Sequence, residues 1–211
     1  MIGGVVVNFI TAILLFWLIL FKWGETYIPV ENAKYGLMFH PVAHEIGLVD
    51  GDRILEVGGV KIETIGDIAT GILIDNASTL LVERGDSQFI LPVPESFKSE
   101  IISREVRQLA TFQIPAIVDS TMPNSPAHKA GLIKNDRIVK IDTVSTPFFH
   151  QFSATLASYA GSSTNITVER DGQQLQLPVD IDSNGKLGFF PKTTGSLLGT
   201  RVTNYSLFEA F

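Results

Sequence analysis

Two histidines four residues apart are the first candidates for chemistry in this sequence. In the segment HPVAHE, His40 and His44 have a spacing that can place two imidazoles on one face of a helix, where they could bind zinc. In such a motif the water-activating glutamate lies between the histidines, whereas Glu45 follows the second one. Pro41 also disfavours a regular helix through both residues. We therefore interpret both histidines as residues of a surface loop.

The other reactive side chains form no recognisable catalytic or metal-binding group. His128 and His150 are isolated in the sequence, and the aspartates on either side of Gly51 are typical of a turn. No nucleophile elbow supports a Ser-His-Asp site. The absence of cysteine excludes disulfides and thiolate chemistry, and the net charge of −6 argues against nucleic acid as a partner. We predict no catalytic residue, metal ligand or cofactor within this chain.

An internal repeat provides the main information about architecture. AHEIGLVDGDRILEV (43–57) and AHKAGLIKNDRIVKI (127–141) share 7 of 15 residues at an offset of 84. The similarity continues downstream in two further pairs of segments, which are 65–73 with 149–157 and 80–93 with 166–179. Two copies of this length are too few for a solenoid, so we predict two small domains of one fold, each of about 80 residues.

Each copy has the same predicted elements. A short strand is followed by a brief helix, for which Ser125 and Pro126 provide the start in the second copy. A second strand, an amphipathic helix and a hairpin follow, and Asp171-Gly172 forms the hairpin turn. The pattern predicts an α+β fold in which five or six strands are closed by two helices.

The chain begins with a segment that is long enough to cross a membrane. Residues 2–21 contain 20 residues without a charge, and as a helix they would span roughly 30 Å. Trp23 and Tyr27 lie where interfacial aromatic residues are expected, and Lys22 ends the apolar run. A signal peptide would need a basic start, a shorter apolar stretch and a cleavage site. These are lacking, and we favour a transmembrane helix in the lipid bilayer.

Small and polar residues of this segment share one helical face. Gly4, Asn8 and Thr11 follow steps of four and three residues. Such a stripe usually packs on another helix, where the amide of Asn8 can find a partner. The alternative is that Asn8 is tolerated near the helix end. We predict that the chain is a fragment and that the other helices of its parent protein contact this face.

The repeated segments resemble a known family. PNSPAHKAGLIKNDRIVKID (123–142) is similar to the signature of bacterial PDZ domains, and HPVAHEIGLVDGDRILEVGG (40–59) keeps most of it. Tandem PDZ domains after a membrane helix resemble the site-2 protease family, in particular its RseP type, and GVVVNF (4–9) matches the Gly-x-x-x-Asn-Phe pattern of the preceding helix. This resemblance divides the chain into a transmembrane helix, a first PDZ-like domain with a helical connector, a second PDZ-like domain and a lead-in to a further helix, at residues 1–23, 24–112, 113–192 and 193–211.

The resemblance also implies a function. Proteases of this type are zinc enzymes of the bacterial inner membrane that cut a transmembrane anti-sigma factor in regulated intramembrane proteolysis, and their periplasmic PDZ domains screen the substrate. The full-length parent would therefore hold zinc, whereas this chain lacks the His-Glu-x-x-His helix and would be inactive alone. The alternative is a non-enzymatic, membrane-anchored PDZ scaffold of a secretion or envelope complex. A His-Glu-x-x-His helix upstream and an Asp-Gly helix downstream in the parent would distinguish the two.

The resemblance places a peptide-binding groove in the second copy. The loop of Leu187, Gly188, Phe189 and Phe190 would hold the carboxylate of a substrate or of its cleaved C-terminus, and His150 lies on the adjacent helix. Core packing of Leu187 and Phe189 is an equally good explanation of those two residues. In the first copy the counterpart QLATF (108–112) lacks the glycine.

Overall fold

The computed structural model describes residues 2–203. The segment NYSLFEAF (204–211), which we interpreted as the start of a lead-in to a further membrane helix, lies outside the described residues. The helix α1 spans Ile2–Trp23 and is long and apolar enough to cross a membrane, as predicted. Gly24 ends it with a left-handed φ of +66°, and its amide donates to the Leu20 carbonyl at 2.8 Å. The short strand β1 (Glu25–Tyr27) and a 3-10 turn (Val30–Asn32) follow.

The first copy contains strands and helices in the predicted order, with one addition. Its described elements are β2 (Leu37–Phe39), α2 (Pro41–His44), β3 (Arg53–Val57), β4 (Val60–Lys61), α3 (Ile65–Leu73), β5 (Thr79–Arg84), β6 (Ser87–Pro92), α4 (Glu95–Ser103) and β7 (Ala110–Phe112). The connector that we predicted to be helical contains α4, which ends at Ser103. This copy therefore has the two helices that the repeat predicts and a third helix in its connector. Ile102 is exposed, because it lies on the side of α4 that faces away from the core.

The second copy repeats this order without the extra helix. Its elements are β8 (Ala116–Thr121), α5 (Pro126–Lys129), β9 (Arg137–Ile141), β10 (Val144–Ser145), α6 (Phe149–Ala157), β11 (Ser163–Arg170), β12 (Gln173–Asp180) and β13 (Phe189–Pro191). The chain continues through α7 (Thr194–Leu198) to β14 (Arg201–Thr203).

All described strand pairs are antiparallel. In the second copy, six strands form one sheet in the order β12-β11-β9-β8-β13, with β10 paired to β9. In the first copy, β4-β3-β5-β6 form one sheet and β2-β7 a separate pair. Two hydrogen bonds still join β2 to the start of β3, from Leu37 N to Asp52 O (2.9 Å) and from Gly51 N to Leu37 O (2.8 Å). The same strand neighbours therefore occur in both copies.

Each copy has its own buried cluster. One cluster runs from Val30 to Ala110 and includes residues of α3 and α4. The other runs from Ala116 to Leu187 and includes Phe152 of α6. Among the described residues, no sheet contains core strands of both copies. The separation of the clusters matches the repeat seen in the sequence.

An ion pair occurs at the same place in both cores. The guanidinium of Arg84 donates to both carboxylate oxygens of Asp52 and to the Gly47 carbonyl, over 2.7–2.8 Å. Arg170 contacts Asp136 and the Gly131 carbonyl in the same way. Both aspartates are almost fully buried, so each arginine neutralises a carboxylate that water does not reach.

The two ends of the folded region meet beside the apolar helix α1. Strand β1 pairs with β14, and Tyr27 is opposite Arg201. Arg201 also contacts Glu31 at 2.8 Å. A side chain at Gly24 would collide with the Thr203 carbonyl, so glycine is needed for this close approach. Residues 28–200 are thus an insertion whose two ends are joined by a two-stranded ribbon.

Candidate peptide-binding groove

An unpaired strand edge lies beside a helix in the second copy. Strand β13 pairs with β8 on one side, and no described strand pairs with its other edge. Helix α6 packs next to this strand, and the rings of Phe152 and Phe189 are 5.8 Å apart. An edge of this kind exposes main-chain groups that can bind an extended peptide as an added strand.

The loop that enters β13 is shaped by hydrogen bonds and close packing. The carboxylate of Asp182 accepts from the amides of Asn184 (3.0 Å) and Lys186 (2.7 Å), which makes a compact turn. At Gly185 a Cβ atom would lie 3.2 Å from the Cα of Ala157, so the loop rests on the end of α6. Sequence reasoning missed Asp182, although the segment Asp-Ser-Asn-Gly is a typical turn signal.

Two amides of this loop have no acceptor among the described residues. Gly188 has a left-handed φ of +76°, and its carbonyl accepts from the Met122 amide at 2.9 Å. The Leu187 carbonyl accepts from the Ala127 amide at 2.8 Å. Within residues 2–203, the backbone N–H groups of Leu187 and Gly188 have no acceptor. Consecutive free amides around a left-handed residue form a concave site that suits a carboxylate.

The four predicted loop residues have different environments. Leu187 is a core residue with 2% exposure, as the alternative interpretation anticipated. Phe189 is half-buried and packs on Phe152. Phe190 is on the opposite face of the strand and is 52% exposed. At the start of the strand, Gly188 is partly exposed and is followed by the half-buried Phe189 ring, whereas Leu187 is enclosed in the core.

His150 lies at the other end of α6 from the loop. From His150 to Ala157 the helix rises about 10 Å, which equals three residues of an extended peptide. The imidazole stacks on Phe148 with ring centroids 6.0 Å apart, and Phe148 makes an edge contact of 6.0 Å with Tyr35 of the first copy. The beginning of the groove helix is thus in contact with the first copy.

Gly4, Asn8 and Thr11 lie on α1 and are exposed. Their spacing puts them on one face of that helix, as expected. A Cβ atom placed on Gly4 would meet no described atom within 4 Å. Their packing against further membrane helices stays a prediction.

The corresponding edge of the first copy differs. Strand β7 pairs with β2, and the Leu109 carbonyl accepts from the His40 amide at 2.9 Å, as Gly188 does from Met122. No residue from 108 to 112 has a positive φ. The left-handed residue that shapes the loop of the second copy is therefore missing, as the sequence suggested.

Helix α3 of the first copy has an N-terminus that is stabilised by side-chain hydrogen bonds. Asp67 accepts hydrogen bonds from the Thr64 amide, the Glu63 amide and the Thr64 hydroxyl at 2.8–2.9 Å. Burial acts to raise the pKa of Asp67, but these hydrogen bonds together lower it below its ordinary value of 3.8.

The histidines of the first copy have structural roles. The His40 Nδ1 accepts from the Val42 amide at 3.3 Å and caps α2, which begins at Pro41. The His44 Nδ1 donates to the Leu48 carbonyl at 2.9 Å. In the part of the chain that the structure describes, no three His, Asp and Glu side chains are grouped in a way that could hold a metal ion.

Comparison with known proteins agrees with this architecture. A family model described as "PDZ domain" matches residues 117–170, within the second copy. The "Regulator of sigma-E protease RseP" of Escherichia coli is 28% identical over 204 residues, which are 89% of this chain and 44% of that protein. The "Probable protease eep" of Enterococcus faecalis is 22% identical over 222 residues, with 87% and 52% covered. The chain thus spans about half the length of the curated relatives it matches.

A solved structure also matches, but only weakly. An "HtrA-type protease AlgW with decapeptide" has 16% identity and a TM-score of 0.27 over 56% of this chain and 43% of that one. So low a score supports no conclusion, and the sequence relatives carry the assignment. The chain is therefore similar to RseP-type proteases along most of its length, and it contains a PDZ domain.

Proposed function

We propose that this chain is the substrate-screening region of an intramembrane zinc metalloprotease that acts in regulated intramembrane proteolysis. One observation carries the proposal: two free amides at a left-handed glycine lie next to an unpaired strand edge, in a unit joined to an apolar helix. The relatives are named as proteases, and one is named as a regulator of sigma-E protease.

The groove of the second copy would bind a free C-terminus that ends in an apolar residue. The amides of Leu187 and Gly188 would receive the carboxylate, and the edge of β13 would pair with the peptide main chain. The half-buried ring of Phe189 would contact the last side chain. Lys186 is exposed on the same loop, and its charge favours an anionic end group. Such an end is what a first cut in a membrane substrate creates.

Both copies would be PDZ-like domains, with residues 24–112 and 113–192 as their limits. The repeated strand neighbours, the separate cores and the twin Asp-Arg pairs support this division. The pair would stand on the periplasmic side of the bacterial inner membrane and meet an anti-sigma-factor-like transmembrane substrate. Zinc would be held elsewhere in the full-length parent.

The ribbon of β1 and β14 permits a direct test of screening. Because Tyr27 and Arg201 are opposite each other, an Asn-Gly turn can replace residues 28–200 in the parent protein. We expect the shortened parent to cleave a membrane substrate that still carries its outer domain, whereas the intact parent requires the prior cut. The intact parent with Gly172→Ala, which alters a distant turn, serves as the control.

Two results would oppose the proposal. Equal discrimination by the intact and shortened parents would show that this region does not screen. A parent that cleaves no membrane substrate in either form would favour the non-enzymatic scaffold.

A further inference from the structure

A row of aromatic rings continues from the start of α6 onto the first copy. Phe148 precedes the helix, and its ring stacks on that of His150 with an interplanar angle of 6°. On its other side Phe148 contacts the ring of Tyr35, which belongs to the first copy and is 37% exposed. Phe148 and His150 are half-buried. The three rings, called the aromatic row below, therefore present one surface to which both copies contribute.

The turn that carries Tyr35 is fixed from two sides. The Gly36 amide donates to the Ala33 carbonyl at 3.0 Å, which closes the turn, and the Gly36 carbonyl accepts from the Gln113 amide at 3.2 Å. A Cβ atom placed on Gly36 would collide with the Gly51 carbonyl. Because the turn is packed this closely, Tyr35 has a defined position within the first copy.

The connection between the copies is short and is bonded to the groove helix. Strand β7 ends at Phe112 and β8 begins at Ala116. Between them Gln113 is 3% exposed, and the Ile114 carbonyl accepts from the amide of Phe149, the first residue of α6, at 2.8 Å. The same connection thus contacts the Tyr35 turn and the start of α6, and this sets the position of Tyr35 relative to the proposed groove.

Strand β13 leads from the carboxylate-binding loop towards the aromatic row. The loop lies at the end of α6, because Gly185 packs on Ala157. At the other end of β13, the Lys192 amide donates to the Ile117 carbonyl at 2.8 Å, close in sequence to Ile114. Ile114 in turn receives the first amide of α6. A peptide that pairs with β13 from its C-terminus backwards would therefore run towards the start of α6 and the first copy.

The spacing of the rings matches that of an extended peptide. His150 lies about three peptide residues from the loop. The next two rings follow at centroid distances of 6.0 Å each, and an extended chain covers such a distance in roughly two residues. The side chains roughly five to seven residues before the C-terminal residue would thus lie beside Phe148 and Tyr35.

We propose that Tyr35 and Phe148 form a second contact for a peptide held in the groove of the second copy, and that this contact takes an apolar side chain five to seven residues before the C-terminus. The half-exposed rings offer carbon surface that an apolar side chain would remove from water. This inference rests on the proposed peptide-binding function. It makes the first copy part of the binding surface and extends the region of the substrate that is recognised.

A comparison of peptide lengths tests the inference. The full chain in detergent micelles is titrated calorimetrically with a tetrapeptide that has a free apolar C-terminus, and with a decapeptide that ends in the same four residues and has leucine five and seven residues before its end. We expect the decapeptide to bind about tenfold more tightly, because its leucines cover the aromatic row. A decapeptide with serine at both positions should bind like the tetrapeptide.

Two variants assign this gain to the aromatic row. Tyr35→Ala should abolish the advantage of the decapeptide and leave the affinity for the tetrapeptide unchanged. Tyr27→Ala is the matched control, because it removes a half-buried tyrosine of the β1 strand whose hydroxyl donates to Glu63 at 3.3 Å. This control should leave both affinities unchanged.

Photocrosslinking to the unaltered chain provides a measurement that does not depend on the folding of a variant. The probe is the decapeptide with a benzophenone six residues before its end, and mass spectrometry maps the labelled residues. We expect the label on residues 33–36 and on Phe148. A benzophenone next to the C-terminal residue should label the second copy alone.

The outcomes separate this inference from the proposed function. If tetrapeptide and decapeptide bind equally well, or if the distant benzophenone labels neither Tyr35 nor Phe148, the inference is wrong and the groove remains. If the tetrapeptide does not bind while the decapeptide binds through Tyr35, capture of the carboxylate fails and the contact with the aromatic row stands. Failure of both peptides to bind would overturn both proposals.

Discussion

Gly188 is the residue on which the proposed groove depends most. Its φ is +76°, and a Cβ atom there would lie 2.5 Å from the Cβ of Ser125. We predict that Gly188→Ala weakens binding of a C-terminal peptide and lowers the free energy of unfolding by about 1–2 kcal/mol from the left-handed backbone alone. Isothermal titration and urea unfolding measure the two effects.

A matched control separates backbone strain from crowding at Gly188. Gly172 has a similar φ of +78° but open space around its Cβ position, so Gly172→Ala should lower stability and leave peptide affinity unchanged. Adding Ser125→Gly to Gly188→Ala should recover part of the affinity. Wild-type affinity in Gly188→Ala would show that the loop has only a structural role.

Arg170 illustrates a buried charge pair that sequence reasoning did not identify. It contacts Asp136, whose side chain has no exposure. We predict that Arg170→Ala costs about 3 kcal/mol of stability, because the carboxylate is left buried without its partner. Arg137→Ala, which removes a partly exposed pair of 3.5 Å with Glu169, should cost less than about 1 kcal/mol. Equal losses in urea unfolding would contradict this account.

At the scale of elements, the start of α3 should give the first copy a pH-dependent stability. Because the folded-state pKa of Asp67 is lowered, its contribution is fully present above the ordinary pKa of 3.8 and is lost as pH falls through the lower folded value. We predict that Asp67→Asn reduces the free energy of unfolding at pH 7. In this variant the free energy of unfolding should also decrease less steeply as the pH falls into the acid range. Glu63→Gln, which changes an exposed neighbouring residue, should alter neither the stability at pH 7 nor its dependence on acid pH. An unchanged dependence on acid pH in Asp67→Asn would refute the prediction.

The elements that sequence reasoning predicted are those with strong local signals. The hairpin turn at Asp171-Gly172 and the α5 start at Ser125-Pro126 follow from turn and cap chemistry, and both occur. Helix α4 was only partly anticipated, because the burial of Phe97 and Lys98 depends on the rest of the first core. Strand β14 was missed, since three residues carry no pattern and its partner β1 is some 170 residues away.

The candidate site, too, could be predicted only in part from the sequence. The Leu-Gly-Phe segment, through its resemblance to a PDZ loop, indicated where a groove is to be proposed, and the structure gives Gly188 the left-handed φ that the sequence left open. The inward direction of Leu187 and the stacking of His150 on Phe148 depend on tertiary packing. Neither could be read from residue types alone.

At the scale of the whole molecule, the ribbon of β1 and β14 determines where the folded region joins the apolar helix α1. Thr26 is opposite Val202, and paired positions of an antiparallel ribbon have Cα atoms about 5 Å apart. The chain has no cysteine, so Thr26→Cys with Val202→Cys should form one disulfide under mild oxidation. The pair Tyr27→Cys with Thr203→Cys is two residues out of register and should not. If only Tyr27→Cys with Thr203→Cys crosslinks, β1 and β14 pair in a different register.

We propose that one groove of this chain captures a free apolar C-terminus. Isothermal titration of the full chain in detergent with one peptide, as the free acid and as the C-terminal amide, tests it most directly. We expect one site for the acid and a loss of binding on the order of tenfold or more for the amide, because the amides of Leu187 and Gly188 lose their charged partner. Equal binding of acid and amide, or no binding of either, would contradict the account.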